Sequence, residues 1–458
     1  MKNPKNLLFY TGVASFFSLI VYWVLNTGKL LESGRVIREV KGRDDFMEIF
    51  LLNLHHPLAV LLSQIVVIVI VAKLFGFLCK KIGQPSVVGE MIAGILLGPS
   101  LFGLYFPDLS AALFPPASLG NVQLLSQIGL VLFMFIVGLE LDLGALKNSK
   151  DQAVVISHAS IIVPFTMGVG LSYFLYDRFA PEGVNFLSFA LFMGVAMSIT
   201  AFPVLARIVQ EKGIYRTRLG AMVITCAAVD DITAWCILAA VIAIAKAGSL
   251  GSTFYILGLA IIYVVVMLRV VRPFLRKWLT REKKGLTKRK VAVIFLTVVI
   301  SAYLTEVIGI HALFGAFLAG IVMPEEVNFR QLLVNKVEDL TVVLFLPLFF
   351  AFTGLRTHIS GLTEPEMYGA LFLIVLVAVA GKFLGSAISA KFVGQDWKTS
   401  LSIGALMNTR GLMELVVLNI GYDLGVLSSE IFAMMVFMAL ITTFMTGPLL
   451  TLIDRAWR

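Results

Sequence analysis

Runs of about 20 apolar residues recur from near the start of this 458-residue chain to its last ten residues. A helix that crosses a bilayer needs a run of about that length. No backbone group can be left unpaired in lipid, so spanning segments are helices or closed barrels. The runs are long and continuous, whereas a barrel strand would show about ten alternating residues. Fourteen candidate spans follow, at about 7–26, 57–80, 86–103, 123–142, 153–176, 186–209, 218–246, 253–278, 288–308, 311–323, 338–357, 366–394, 399–424 and 429–455. With 59% hydrophobic and only 14% charged residues, a soluble globular enzyme is excluded. The expected fold is an all-α polytopic membrane protein.

The first run follows Lys2 and Lys5 as a secretory signal would, but it ends in Val24 to Gly28 without a small-x-small cleavage site. It reads as a retained helix. The net charge of +9 could point to nucleic acid, yet the basic residues gather in short loops as the positive-inside bias requires. No nucleic-acid partner is expected. With the N-terminus inside, the inner loops hold Lys80 and Lys81, Lys147 and Lys150, Arg207 to Arg218, Arg269 to Lys290, Arg330 and Lys336, Lys391 and Lys398, and Arg455 and Arg458. The connection 27–56 is the exception, with Lys29, Arg35, Arg38, Lys41 and Arg43 outside among acids. Both termini are expected to be cytoplasmic. Cys79, Cys226 and Cys236 follow no CxxC spacing and read as small core residues, and the five histidines show no ligand spacing, so no metal is expected.

The chain also repeats itself. Gly89 to Ile95 (GEMIAGI) is echoed by Gly315 to Ile321 (GAFLAGI), and Leu132-Phe133 with Gly138-Leu139 is echoed by Leu348-Phe349 with Gly354-Leu355. Corresponding spans lie an odd number apart, so the copies run in opposite directions. This predicts an inverted repeat of five helices each, about 86–246 and 311–455, as in many secondary transporters. Such transporters interrupt one helix of each repeat near the membrane midplane. The breaks expected here are Ser198-Ile-Thr200-Ala-Phe-Pro203 and Asn408-Thr409-Arg410-Gly411. Proline removes a donor, while Ser, Thr and Asn can satisfy freed backbone groups. A proline kink in one span and a helix end in the other is the structural alternative.

An ionisable residue inside a span is costly and marks a functional site by default. Asp230 and Asp231 lie in the middle of the seventh span. Helix neighbours point about 100 degrees apart, so the two carboxylates have different partners. Burial and a nearby cation act oppositely on a carboxyl group, so one acid can exchange protons while the other stays ionised beside a lysine. Lys382 is the lysine near the middle of a span. A carboxylate that binds a proton or a cation, but not both, couples the two by competition. Glu414 follows Arg410 by four residues, although Arg before Glu is the weaker order and Gly411 breaks the spacing, so Arg410 could instead reach another helix. Glu90 and Glu140 read as solvated span ends or cytoplasmic-mouth acids, and Glu306 as interfacial.

Taken together, Gly89 to Gly98, Gly138 to Asp142, the paired aspartates, His311 to Gly320 and Asn408 to Leu415 resemble the cation:proton antiporter-2 family. Leu346 to Arg356 and residues 407–420 look most like its plant-type cation/proton exchangers, with the Kef potassium efflux systems more distant. The resemblance covers about residues 57–455. It implies a homodimer whose core bundle, with two crossed broken helices, slides against a dimerisation bundle. By position it implies Asp231 as the main ion-binding carboxylate, Asp230 as the partner of Lys382, and Thr200 at the crossing. Arg410 joins Lys382 in compensating charge, and Glu414, Thr409, Ser198 and Asn408 are further coupling or structural candidates. A paired-aspartate site resembles the electrogenic members. Two departures stand out: an extra span at 7–26, making residues 1–56 a separate N-terminal segment before the family's thirteen helices, and no soluble regulatory domain after residues 57–458.

The expectation is therefore an ion transporter without cofactor. It would exchange H+ for K+ or Na+ across a lipid bilayer, most simply a bacterial inner membrane, by competition at a buried aspartate. Two alternatives are a Kef-like gated potassium pathway and an intramembrane aspartyl protease. The protease would need acids on facing helices and a Gly-x-Gly-Asp motif, which the chain lacks.

Overall fold

The computed structural model describes residues 4–32, 46–140, 151–214, 217–247, 250–280, 286–324, 326–357 and 365–457. Lys147, Lys150, Asp142, Arg216, His358, the basic residues between Arg35 and Arg43, and 281–285 lie outside them. The chain divides into two units, residues 1–59 and 60–458. The first contains α1 (Pro4–Gly28), an apolar helix with none of its residues buried, and α2 (Phe46–Leu54).

Starting with α3 (Pro57–Lys81), the second unit continues through α4 (Ser86–Leu97), α5 (Pro116–Glu140), α6 (Asp151–Phe179), α7 (Phe186–Ser198), α8 (Phe202–Glu211) and α9 (Arg218–Ala247). Next come α10 (Leu250–Val266), α11 (Lys288–Ile308), α12 (Ala312–Ile321), α13 (Val327–Leu340) and α14 (Leu346–Leu355). The last five are α15 (Pro365–Val379), α16 (Gly385–Phe392), α17 (Trp397–Met407), α18 (Leu412–Asp423) and α19 (Ser429–Ala456). π turns at Thr341–Phe345 and Ala380–Leu384 join α13 to α14 and α15 to α16. Among the described residues, eleven helices are long and apolar enough to cross a membrane, and α17 with α18, bent by 42° at its break, makes a twelfth. The other two expected spans are α7 with α8, and the ten-residue α12.

Several helix starts follow from local chemistry. Asn185, Thr287, Asp396 and Ser428 each accept the backbone N–H of the third residue onward, pairing a donor the helix cannot. Hydrogen bonds from Thr399 hold the Asp396 carboxyl below the usual carboxylate range, so this cap is charged at neutral pH. Glu306 and His311 accept the N–H groups of Ala312 and Leu313 and so cap α12.

The helices pack as two bundles, α3–α5 with α11–α14, and α6–α9 with α15–α19. Contacts between them include those of α4 with α19. Inside the first bundle the repeated glycines make repeated contacts. A Cβ on Gly94 of α4 would fall 2.1 Å from the Phe350 carbonyl oxygen of α14, and one on Gly138 of α5 would fall 2.1 Å from that of Phe317 in α12. Gly354 and Gly320 complete the two pairs: a Cβ on them would fall 1.9 Å from Gly94 and 2.3 Å from Phe135. One helix earlier, a Cβ on Gly89 would fall 2.3 Å from the Phe75 carbonyl oxygen of α3, as one on Gly315 would from that of Ser301 in α11. Small residues let membrane helices approach backbone to backbone. Gly138→Ala and Gly94→Ala are expected to lower the melting temperature sharply, since backbone cannot yield as a side chain can. An alanine at Gly170, where nothing lies within 4 Å, should be neutral in the same thermal assay.

Two sequence readings are corrected. Cys79 and Cys226 are buried, but Cys236 is exposed, because α9 turns that residue away from the core. Glu90 is no solvated end: it is buried in α4, with Lys73 at 3.4 Å.

Candidate functional site

Two helices of the second bundle are interrupted at mid-length. After Ser198 the chain is non-helical through Ile199, Thr200 and Ala201, and α8 begins with Pro203 in its first turn. Proline disfavours helix in the residue before it and is tolerated in a first turn. At the second break Asn408 ends α17, and Gly411 adopts φ 144°, ψ −125° before α18. That backbone geometry is accessible to glycine and almost nothing else. The breaks satisfy one another: Ala201 N–H donates to the Thr409 carbonyl at 3.1 Å, and the Met407 carbonyl lies 3.3 Å from Thr200 Oγ1. Thr443 and Thr446 of α19 add hydrogen bonds to the Arg410 carbonyl and the Thr409 hydroxyl. Backbone freed in a membrane needs such partners.

Asp230 and Asp231 lie beside this crossing in opposite circumstances. Asp230 Oδ1 accepts from Ser157 at 2.6 Å, while Oδ2 accepts from Ser160 at 2.7 Å, Thr200 at 2.7 Å and Lys382 Nζ at 2.9 Å. Lys382 sits in the Ala380–Leu384 π turn, fully buried, and also donates to the carbonyls of Ser160 at 2.8 Å and Ser198 at 2.5 Å. Neither oxygen of Asp231 has a hydrogen-bond partner among the described residues. It lines a small cavity with Ile199, Ala234, Trp235, Leu238, Met413 and Val417.

Arg410 spans both alternatives that its spacing allowed. Its Nη1 meets Glu414 Oε2 at 3.0 Å and the Ala196 carbonyl at 2.7 Å, and Nη2 meets the Met197 carbonyl at 2.6 Å. Arg410 and Lys382 thus place two cations at the C-terminus of α7, where unpaired carbonyls and the helix dipole favour positive charge. Glu414, in the first turn of α18, has the converse placement. The Ser198 hydroxyl bonds its own helix at Val195, and both side-chain polar atoms of Asn408 are buried without a protein partner. Sequence reasoning missed Ser157 and Ser160, two hydroxyls three residues apart on one face of an apolar span, and Trp235, one turn after Asp231.

Buried aspartates at the crossing of two broken helices, in a bundle of membrane-spanning helices, define a secondary-transporter class of site. Residues 66–453 match the family described as "Sodium/hydrogen exchanger, transmembrane", and the chain belongs to that family. It is 43% identical over 397 residues to the Na(+)/H(+) antiporter NhaS4 of Synechocystis, covering 86% of this chain and 97% of that protein. Identity is 41% to Cation/H(+) antiporter 17 of Arabidopsis thaliana, over 86% of this chain and 48% of that one. It is 34% to K(+)/H(+) antiporter 1 of Saccharomyces cerevisiae, over 88% and 47%. The chain therefore spans about half the length of these plant and yeast relatives. Its fold is similar to that of the sodium proton antiporter MjNhaP1 from Methanocaldococcus jannaschii, with TM-score 0.64 at 14% identity over 88% of this chain and 98% of that one.

Proposed function

We propose that the chain is a secondary antiporter that exchanges protons for K+ or Na+ by competition at Asp231, with alternating access. The observation that carries this is the asymmetry of the acids: four side chains donate to Asp230, and none donates to Asp231. At the crossing Asp230, Asp231 and Glu414 lie buried with Lys382 and Arg410, so among the described residues there three acids outnumber two bases by one. That negative charge requires a proton or a cation and admits one at a time. Thr200 orients Asp230, and Lys382 and Arg410 compensate charge. Glu414 and Thr409 hold the crossing, and Ser198 and Asn408 are further coupling or structural candidates beside it.

The functional unit in this reading is a homodimer in a bacterial inner membrane with both termini inside. Residues 1–56 form an added N-terminal segment and residues 57–458 the antiporter domain. The inverted repeat is extended from five helices to six per half, with α3 and α11 added to 86–246 and 311–455. The matched contacts of Gly89 and Gly315 support this. A protease does not fit, because adjacent acids on α9 diverge to separate surroundings.

The test is transport by the purified protein in proteoliposomes under imposed gradients of each cation. A K+ or Na+ gradient should drive protons the opposite way; cation flux without proton movement would favour a Kef-like pathway. Exchange is expected to be electrogenic, because Lys382 can supply a second proton when a cation neutralises the acids beside it. Clamping the membrane potential with an ionophore should therefore change rate and end point. Indifference to potential would mean that one charge is swapped for one.

A further inference from the structure

The two bundles are joined at one end by polar bonds in which the ion site has no part. Arg356, which follows α14, donates through Nη1 to Asp423 Oδ1 at 2.6 Å, with Asn419 Oδ1 at 3.5 Å. Its guanidinium lies 4.2 Å from the centre of the Phe352 ring and 5.5 Å from that of Tyr422. One turn deeper, Asn419 Nδ2 donates to Thr353 Oγ1 at 2.9 Å, both residues buried. Thr353 and Arg356 belong to the first bundle, Asn419 and Asp423 to the second.

The opposite end is open. A cavity of about 400 Å³ lies among Lys80, Gln84 and Pro85 of the first bundle and Ile208, Lys212 and Thr443 of the second. Thr443 donates to the Arg410 carbonyl at 2.7 Å, so the cavity floor touches the crossing. Pro85 immediately precedes α4, whereas Gly98, at its far end, abuts Gly354, and Ser100 donates to the Thr357 carbonyl at 3.1 Å. Cavity and polar bonds are therefore separated by the length of α4, about 18 Å at 1.5 Å per residue.

We propose that Arg356, Asp423, Asn419 and Thr353 form a clamp that shuts the transport path at the Arg356 end while the Lys80 end is open. They are positioning residues that decide to which side Asp231 is exposed. The inference rests on the antiport reading, in which the site opens to each side in turn and the bundles must part at the clamp once per cycle. The ion pair suits a contact that breaks repeatedly, because its side chains are 20% and 38% exposed and such pairs are individually weak.

The experiment places a single cysteine, Val417→Cys, in the Asp231 cavity of a protein whose Cys79, Cys226 and Cys236 are replaced by alanine. A membrane-impermeant thiol reagent is then applied to vesicles of each orientation. Asp423→Asn and Arg356→Gln should each raise the labelling rate from the Arg356 end about fivefold and lower it from the Lys80 end, since relieving one state of a contact shifts the population to the other. The exchanged pair Arg356→Asp with Asp423→Arg should return both rates toward the starting protein. Rates unchanged at both ends, or raised equally at both, would overturn the clamp. If Val417→Cys does not fold, Met413→Cys in the same cavity serves. Labelling needs no transport, so a failed clamp with cation-driven proton movement intact leaves the antiport reading standing. Absence of that movement in the unmutated protein overturns the antiport reading instead.

Discussion

Asp231→Asn is expected to reduce cation-driven proton movement in proteoliposomes below about one hundredth of the starting rate while the protein stays folded. The amide keeps the shape of the side chain but releases no proton and offers no charge to a cation. Stability should change little, because the amide nearly matches the acid in shape and no side chain donates to Asp231. The thermal measurement separates this from a structural role, in which activity and melting temperature would fall together. Retained exchange by a folded Asp231→Asn protein would remove Asp231 from the mechanism.

Lys382→Ala is expected to damage both stability and transport. It strands the Asp230 carboxylate with three hydroxyl donors, and breaking a buried pair from one side costs about 3 to 5 kcal/mol. The Ser160 and Ser198 carbonyls lose their donor as well. Removing both charges, as Lys382→Met with Asp230→Asn, should recover much of the melting temperature without recovering exchange. A single Lys382→Ala protein as stable as the original would show that the pair holds nothing together.

How far the sequence reaches can be judged helix by helix. Span length is dictated by the bilayer, so all fourteen segments could be read from apolar runs alone. Their ends could not: α5 begins at Pro116, before the expected 123, because Ser118, Asn121 and Gln123 interrupt the hydropathy. Half of α13 is polar (VNFRQLLVNKVEDL), and all but its last three residues lie outside the expected span for the same reason. Both breaks were legible, since Pro203 and Gly411 act through local backbone sterics. The π turn at Lys382 leaves no such mark. Ser157 and Ser160 were missed because a serine in a membrane helix ordinarily bonds its own preceding turn, and only the approach of α9 turns both onto Asp230. Arg410 meets carbonyls 213 and 214 residues away, and no spacing rule reports a partner at that distance.

The central claim is that one carboxylate holds either a proton or a cation, and the direct test is to count protons released when the purified protein binds K+ or Na+ in weakly buffered solution. Cation binding should release protons in a saturable way, about two per cation if Lys382 contributes, and the apparent cation affinity should fall as the pH is lowered. The release should vanish in Asp231→Asn. Cation binding without proton release, or the same release from the Asp231→Asn protein, would contradict the account.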